Sequence, residues 1–456
     1  MSDSSSGLGQ LRKRTVDSLL RTWEEVRETA FHVFSSDIRP GVPKEDEGEL
    51  RARMMLCLDS PGGEVTARAN TAALGRIYLS LNESGRKKFL TMLAGDFDMN
   101  HESLLKLSHK YTIAKPDEKL ALEVAMREAL ATPRSTILRQ FTALPDGFKF
   151  LVNMRADLLP LLGNDAKLKA LEFDLKQILA SWFDVALLDL VEISWNSPAV
   201  ILEKLIEYEA VHRVASWEDL KNRLDADRRV FAFFHHKMPA EPLIFVHVAL
   251  VSGMSDNVQK LLDEKSPVFD TKEADTAIFY SISNAQKGLA GISFGNFLIK
   301  RVVEKLSAEM KNIKTYATLS PVPGLRAWLD PLIVAGPGDL LGKDDIAKLK
   351  ELDGDWAKDA KKAEKMKPLL LKLCAHYLLK EKKHKRPLDP VANFHLFNGA
   401  RLERLNWLGD SSAKGMKQSA GIMANYYYKL DEIDENHEAF AESGKIAASR
   451  AVKGLL

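Results

Sequence analysis

The segment TAIFYSISNAQKGLAGISFGN, residues 276–296, decides how the second half of this chain folds. Its first eight residues combine β-branched and aromatic side chains in a short apolar run, which predicts a buried strand. A polar, glycine-bearing loop follows, NAQKGLAGISFGN (284–296), and opens a helix with Leu298, Val302, Leu306 and Met310 on one face. That helix runs into TYATLS (315–320), a second strand. Strand, helix and strand in this order imply a right-handed crossover between parallel strands. The loop and Ser320 then both lie at carboxyl ends of strands in one sheet, the edge at which open α/β sheets bind ligands.

Working outward, RRVFAFFHH (228–236) and PLIFVHVALV (242–251) read as an antiparallel pair joined by a short proline-containing connection. Before Trp195-Asn196-Ser197-Pro198 the pattern is helical. Val16, Leu19, Leu20, Trp23, Val26, Ala30 and Phe34 share a helix face, as do Leu120, Val124 and Leu130 after a Pro116-Asp117 start. Breaks at PGG (61–63), ATPRS (131–135) and LPDG (144–147) cut this region into bundle-length helices. The expected organisation is a flexible N-terminus (1–10), an all-α domain for packing or oligomerisation (11–188) and a mixed α/β domain (189–456).

Composition narrows the functions. The 65 basic and 63 acidic residues leave a net charge of +2, so neither nucleic acid nor an acidic membrane is an expected partner. Two distant cysteines, Cys57 and Cys374, suggest neither a disulfide framework nor a zinc site, and fit a reducing compartment. No apolar run reaches the roughly 18 residues a membrane span needs. The start, MSDSSSGLGQLRKR, carries no secretory pattern and the last residues, Gly454-Leu455-Leu456, are not the peroxisomal Ser-Lys-Leu. A cytoplasmic protein is expected.

Several side chains stand out. Gly288, Gly291 and Gly295 would let loop backbone approach a ligand, and a helix start offers free N–H groups to phosphate. Neither the Walker pattern nor GxGxxG is present. The loop resembles the pyrophosphate clasp of acetyltransferase-type CoA-binding folds, with Gln286 and Gly291 matching and Leu289 in place of the first glycine. Ser320, in TLSPVPG, ends a strand before two prolines and lies in no GxSxG elbow, so a structural serine is the plainer reading of that motif alone. His395 sits between Asn393 and Asn398 in the otherwise apolar PVANFHLFNGARLERLNW (390–407), where a packed, hydrogen-bonded core histidine is the plainer reading. His235 and His236, adjacent on a strand, should face opposite ways and share no metal; with His247 they read as satisfied sheet residues. EKKHKR (381–386) reads as a solvated loop that could also meet a CoA 3′-phosphate, and Asn425-Tyr426-Tyr427-Tyr428 as core or interface aromatics.

Taken together, AIFYSIS, GNFLIKRVVEKL, LSPVPG, DPVANFHLFNGARLERLNW and GIMANYYY resemble the malonyl-CoA decarboxylase family in order and spacing over most of residues 195–430. The resemblance implies an α+β two-domain protein, a helical oligomer-building bundle followed by a GCN5-type acetyltransferase-like domain. It implies catalysis by Ser320 and His395, and a substrate loop over Ala290, Gly291, Ile292, Ser293, Phe294, Gly295 and Asn296, with Gln286 and Gly288 beside it. Asn393, Asn425 and Tyr428 are expected as support. Malonyl-CoA would lose CO2 through a thioester enolate, with neither metal nor organic cofactor, in a homodimer or homotetramer. Ser293 stands where animal members are expected to carry an acidic residue, which puts a carboxylate-dependent step there in doubt. The alternatives are a CoA-dependent acyltransferase on the same fold and a non-catalytic CoA sensor or scaffold.

Overall fold

In the computed structural model, residues 13–14, 16–23, 38–58, 63–292, 298–352 and 356–456 are described. The expected flexible residues 1–10, Val26, Ala30 and Phe34, and the loop residues Ser293, Phe294, Gly295 and Asn296 lie outside them. The chain separates into two compact units. One runs to Leu188 and adds His235–Glu241 and Gln286–Ser293; the other holds Asp189–Phe234, Pro242–Ala285 and Phe294–Leu456.

The first unit is helical: α1 (Glu47–Leu58), α2 (Gly63–Ser80), α3 (Glu83–Asp96), α4 (His101–Ile113), α5 (Pro116–Leu130), α6 (Pro133–Gln140), α7 (Gly147–Leu158) and α8 (Ala166–Trp182). Short polar side chains start these helices where the first N–H groups lack partners. Asn82 accepts from Gly85, Asn100 from Ser103, Thr132 from Ser135, and Asp165 from Lys167 and Leu168. Pro116 and Pro133 open α5 and α6, where a missing N–H costs nothing. At the centre Trp23 packs edge-on to Phe150 with ring centres 4.9 Å apart, and its Nε1–H donates to the Pro145 carbonyl at 2.7 Å. A Cβ on Gly75 would stand 2.0 Å from that indole, so glycine is required there. Helices α4 and α5 contribute no buried residue.

The second unit is built on an eight-stranded sheet of order β1-β2-β3-β4-β5-β10-β6, with β9 paired to β10. Its strands are β1 (Leu188–Ile193), β2 (Arg228–His235), β3 (Ile244–Val251), β4 (Thr276–Asn284), β5 (Thr315–Thr318), β6 (Ser320–Pro321), β9 (Arg401–Asn406) and β10 (Met423–Tyr427); β7 (Lys382–Lys383) and β8 (Arg386–Pro387) form a separate hairpin. β2 and β3 pair antiparallel as expected, and β4 runs parallel to β5 from Thr276↔Thr315 to Phe279↔Thr318. The crossover helix, α10 (Leu298–Glu309), buries Leu298, Val302 and Leu306. Apolar packing of α9 (Ala199–Tyr208) on β2 and β3, through Ile201, Leu202, Leu205, Val230, Ala232 and Phe245, forms one of the cores.

Four expectations need correction. β1 was not anticipated, because LDLVEI alternates apolar and acidic residues directly after helix α8. EKKHKR is not simply a loop but carries β7 and β8. The strand expected over 315–320 breaks at Leu319: β5 ends at Thr318, and Ser320 pairs with Ala424 of β10 instead. His235 and His236 do not oppose each other. β2 ends at His235, a turn begins at His236, and the two rings stack with centres 4.4 Å apart.

Candidate active site

Ser320 owes its place to the break after β5. Leu319 N–H still donates to Phe279 on β4, while Ala424 of β10 takes Ser320 as its antiparallel partner. The Thr318 carbonyl is held by a side chain, Asn425 Nδ2, at 2.7 Å. Asn425 Nδ2 also donates to the Ser255 carbonyl, and its Oδ1 accepts from Arg404 and Asn406. Asn425 thus pins the strand break and does not bond to Ser320 or His395.

His395 arrives on α11 (Pro390–Phe397). Asp389 caps that helix, with Oδ1 accepting from Val391 N–H at 3.0 Å and Ala392 N–H at 2.9 Å, and Pro390 occupies the first turn. Asp389 Oδ2 accepts from Gly324 N–H at 3.2 Å, tying the turn after Ser320 to the helix that carries His395. Burial raises the Asp389 carboxyl, and these N–H donors oppose that rise. An aspartate followed by proline is a helix-start signal, so this anchor is legible in the sequence, although Asp389 is not among the residues expected at the site.

The two elements bring Ser320 Oγ and His395 Nε2 to 3.0 Å, both buried. Beyond them the contacts continue in both directions. Ser320 Oγ–H donates to Thr318 Oγ1 at 2.9 Å, Thr318 Oγ1 also accepts from Tyr426 N–H, and Tyr428 Oη lies 2.8 Å from His395 Nδ1. With the serine proton on Thr318, His395 Nε2–H donates to Ser320 and Nδ1 accepts from Tyr428. The ring of Tyr426 stacks on the imidazole at 4.6 Å, two residues before Tyr428, which follows the end of β10. Burial lowers the pKa of His395 to about 3 and raises those of Tyr426 and Tyr428 well above that of an ordinary phenol. The resting site is therefore a neutral chain of hydroxyls around a neutral imidazole.

Asn393 stands two residues before His395, about 200° around the helix, and so does not share its face. Its Oδ1 is buried with no hydrogen-bond partner among the described residues. Thr318 does not stand out in the sequence, although alternation along the expected strand would place it beside Ser320, and Tyr426 stands out only as one of the core or interface aromatics of residues 425–428.

A pocket of about 170 Å³ opens beside the Ser320 turn, lined by His212, Pro321, Pro323, Asp410 and Lys414 among others. Its 210–212 wall is braced from within. Glu209 accepts from the N–H groups of Val211 and His212 and from Ser281 Oγ, and lies 3.3 Å from His247 Nε2. Burial alone would raise Glu209, but His247 and these donors outweigh it and lower its pKa to about 2. His247 Nδ1 has no hydrogen-bond partner among the described residues, so the expectation of a fully satisfied sheet histidine does not hold. Desolvation lowers the pKa of His212 to about 4.

In the loop after β4, Gln286 is buried. Its Oε1 accepts from Lys149 at 2.7 Å and its Nε2 donates to Glu241 at 3.2 Å, so the carboxamide holds the loop instead of facing solvent. Gly288 lies against α7, where a Cβ would meet the Val152 carbonyl at 1.8 Å. Ala290 and Ile292 continue the turn, their N–H groups donating to the carbonyls of Lys287 and Leu289. Between them Gly291 adopts φ 71°, a left-handed conformation that favours glycine. Among the described residues there is no group of three or more His, Cys, Asp or Glu side chains able to hold a metal, and no helix long and apolar enough to cross a membrane.

Comparison with known proteins gives a consistent result. A family model described as malonyl-CoA decarboxylase C-terminal domain matches residues 186–456, and one described as malonyl-CoA decarboxylase N-terminal domain matches residues 97–183. The mitochondrial malonyl-CoA decarboxylase of Anser anser anser is 36% identical over 417 residues, 85% of this chain and 83% of the relative. That of Rattus norvegicus is 34% identical over 451 residues, covering 92% and 90%. Among solved structures, malonyl-CoA decarboxylase from Rhodopseudomonas palustris superposes with a TM-score of 0.85 at 41% identity, covering 90% of this chain and 99% of the other. The protein of the same description from Agrobacterium vitis gives 0.83 at 42%, covering 89% and 99%.

Proposed function

The chain belongs to the malonyl-CoA decarboxylase family and is a carboxy-lyase, and from that premise we propose that Ser320 and His395 carry the loss of CO2 from malonyl-CoA. The observation that supports this most is the buried chain Tyr428–His395–Ser320–Thr318. The bond from the malonyl carboxylate carbon to the methylene carbon breaks, CO2 leaves, and the electron pair passes into the thioester as an enolate. The methylene carbon then takes a proton, giving acetyl-CoA.

Ser320 holds the malonyl carboxylate so that the breaking bond stands across the thioester plane. His395, neutral at rest, gains affinity for a proton when that carboxylate arrives in its desolvated surroundings. It takes up one proton with the substrate and delivers it to the carbanion. Tyr428 fixes the ring, donating to Nδ1 at rest and accepting from it once the imidazole is charged. This replaces the expectation of a histidine that titrates near neutrality on its own, because burial takes that ability away until an anion is bound.

The thioester is the electron sink, so the reaction needs no metal or organic cofactor. Unchanged turnover after dialysis against a chelator is expected, and activity that returns only with added metal would overturn the point. The described part of the loop, Gly288, Ala290, Gly291 and Ile292 with Gln286 behind it, binds the CoA pyrophosphate. The exposed apolar side chains of α4 and α5 serve homo-oligomer formation. The unpaired, buried Cys57 and Cys374 suit the reducing cytoplasm, and cell fractionation checks that assignment.

The deciding experiment is incubation of the purified protein with malonyl-CoA alone, following acetyl-CoA by mass spectrometry. Stoichiometric conversion is expected. Malonyl-CoA that binds and stays intact would point to a sensor.

A further inference from the structure

Within the helical unit, to which the loop from Gln286 to Ile292 belongs, charged pairs that cancel hold that loop against α7 and α8. Lys149 on α7 contacts Glu241 at 3.1 Å while bonding Gln286. Arg155, also on α7, donates to the Gly288 carbonyl at 2.6 Å and pairs with Glu172 of α8 at 2.6 Å. One turn beyond Glu172 on α8 stands Lys176. Its Nζ lies 3.6 Å from where a Cβ on Gly291 would be, at the point where the loop turns left-handed. Lys176 has no ion pair among the described residues and is only half-buried. The fastening thus leaves one positive charge uncancelled, at the glycine that exposes backbone.

We propose that Lys176 is a substrate-binding residue contributed by the helical unit, its ammonium contacting the pyrophosphate of the CoA thioester while Lys149, Glu241, Arg155 and Glu172 position the loop. This rests on the reading of the loop as the CoA clasp. A flexible ammonium is suited to a diphosphate, which presents several oxygens and no single fork geometry. The helical unit then has a part in substrate recognition as well as in packing.

The test compares two substrates in the full-length enzyme: malonyl-CoA, and the malonyl thioester of N-acetylcysteamine, which carries no phosphate. Lys176→Met should raise KM for malonyl-CoA about tenfold, the loss of one charge-assisted contact, with kcat within about twofold on the same reasoning. KM for the short thioester should not move. Lys176→Arg should restore most of the malonyl-CoA affinity, and added salt should raise the parent's KM more steeply than that of Lys176→Met. Equal effects on both substrates, or no effect on either, overturn the proposal. A parent enzyme that decarboxylates the short thioester but shows no advantage for malonyl-CoA overturns the clasp itself. A parent inert toward both overturns the decarboxylase reading, and this inference with it.

Discussion

Helices α4 and α5 and the Ser320–His395 site break the same rule in opposite directions. The helices display Leu105, Ile113 and Leu120 at 71%, 74% and 69% exposure and bury nothing. The site hides two hydroxyls, an imidazole, two phenols and an amide almost completely. Apolar groups normally go inside, and polar ones are buried only when hydrogen-bonded. The two exceptions differ. Apart from the Tyr426 hydroxyl, the buried groups are hydrogen-bonded to one another or to nearby backbone, whereas the exposed apolar side chains have no such answer within their own hairpin. The hairpin is held by polar contacts, such as the bond Tyr111 donates to Glu123. On the proposed reading the polar groups inside carry the chemistry, and the apolar groups outside are offered to a second copy of the chain.

The sharpest way to break this comparison is to remove the chemistry and leave the surface. Ser320→Ala or His395→Asn should lower kcat by about 10²–10⁴-fold, the usual range for a positioned proton-transfer group, while CoA binding by calorimetry and the oligomer mass stay unchanged. Variants that turn over like the parent would return both residues to a structural role. The converse experiment loads charge on the surface. Leu120→Glu with Val124→Glu should weaken subunit association by about 10²-fold, since each apolar side chain contributes roughly 1.5–3 kcal/mol when buried. Sedimentation velocity against concentration measures it. An unchanged sedimentation profile would leave α5 outside any interface.

A smaller effect concerns burial itself. His395 has its pKa lowered from 6.5 to about 3 by desolvation, so the folded protein refuses a proton that the unfolded chain accepts. Stability is full above about pH 6.5 and declines as pH falls toward 3. At pH 5 the loss from this group is about 2 kcal/mol, 1.5 units at 1.36 kcal/mol each. Urea titrations of the free enzyme at pH 7.5 and pH 5 should show a drop that is smaller by about that amount in His395→Gln. An equal drop in both proteins would mean that the imidazole is hydrated in solution.

How much of this was legible in sequence depends on how far apart the partners lie. β4, β5 and their crossover could be read from local periodicity, and so could the antiparallel β2–β3 pair. Ser320 and His395 could not be joined from spacing, since each has a plainer structural reading in its own segment; only the resemblance of long strings singled them out. The break at Leu319 depends on β10, more than a hundred residues later, inserting between β5 and β6. Gln286 looked like a ligand-facing residue because its partner Lys149 stands 137 positions earlier. The stacking of His235 on His236 is not legible in sequence, because side chains alternate only while the strand continues and β2 ends at His235.

The finest comparison lies at the end of β10, between Tyr426 inside the strand and Tyr428 just past it. Tyr428 Oη is bonded to His395 Nδ1, whereas Tyr426 Oη is buried with no hydrogen-bond partner among the described residues, and only its ring meets the imidazole. If the hydroxyl chain works as proposed, the two oxygens are unequal. Tyr428→Phe leaves Nδ1–H of the charged imidazole without an acceptor in a dry site, a cost of about 1–3 kcal/mol, so kcat should fall about 5- to 150-fold with KM nearly constant. Tyr426→Phe keeps the stacked ring and removes an oxygen that bonds to nothing, so kcat should stay within about twofold, because deleting an unpaired buried polar atom is nearly neutral. Steady-state kinetics on the two variants decides between these expectations. If Tyr426→Phe proves the more damaging, the unpartnered hydroxyl is waiting for the substrate, and the contact with the malonyl group passes from Ser320 to Tyr426.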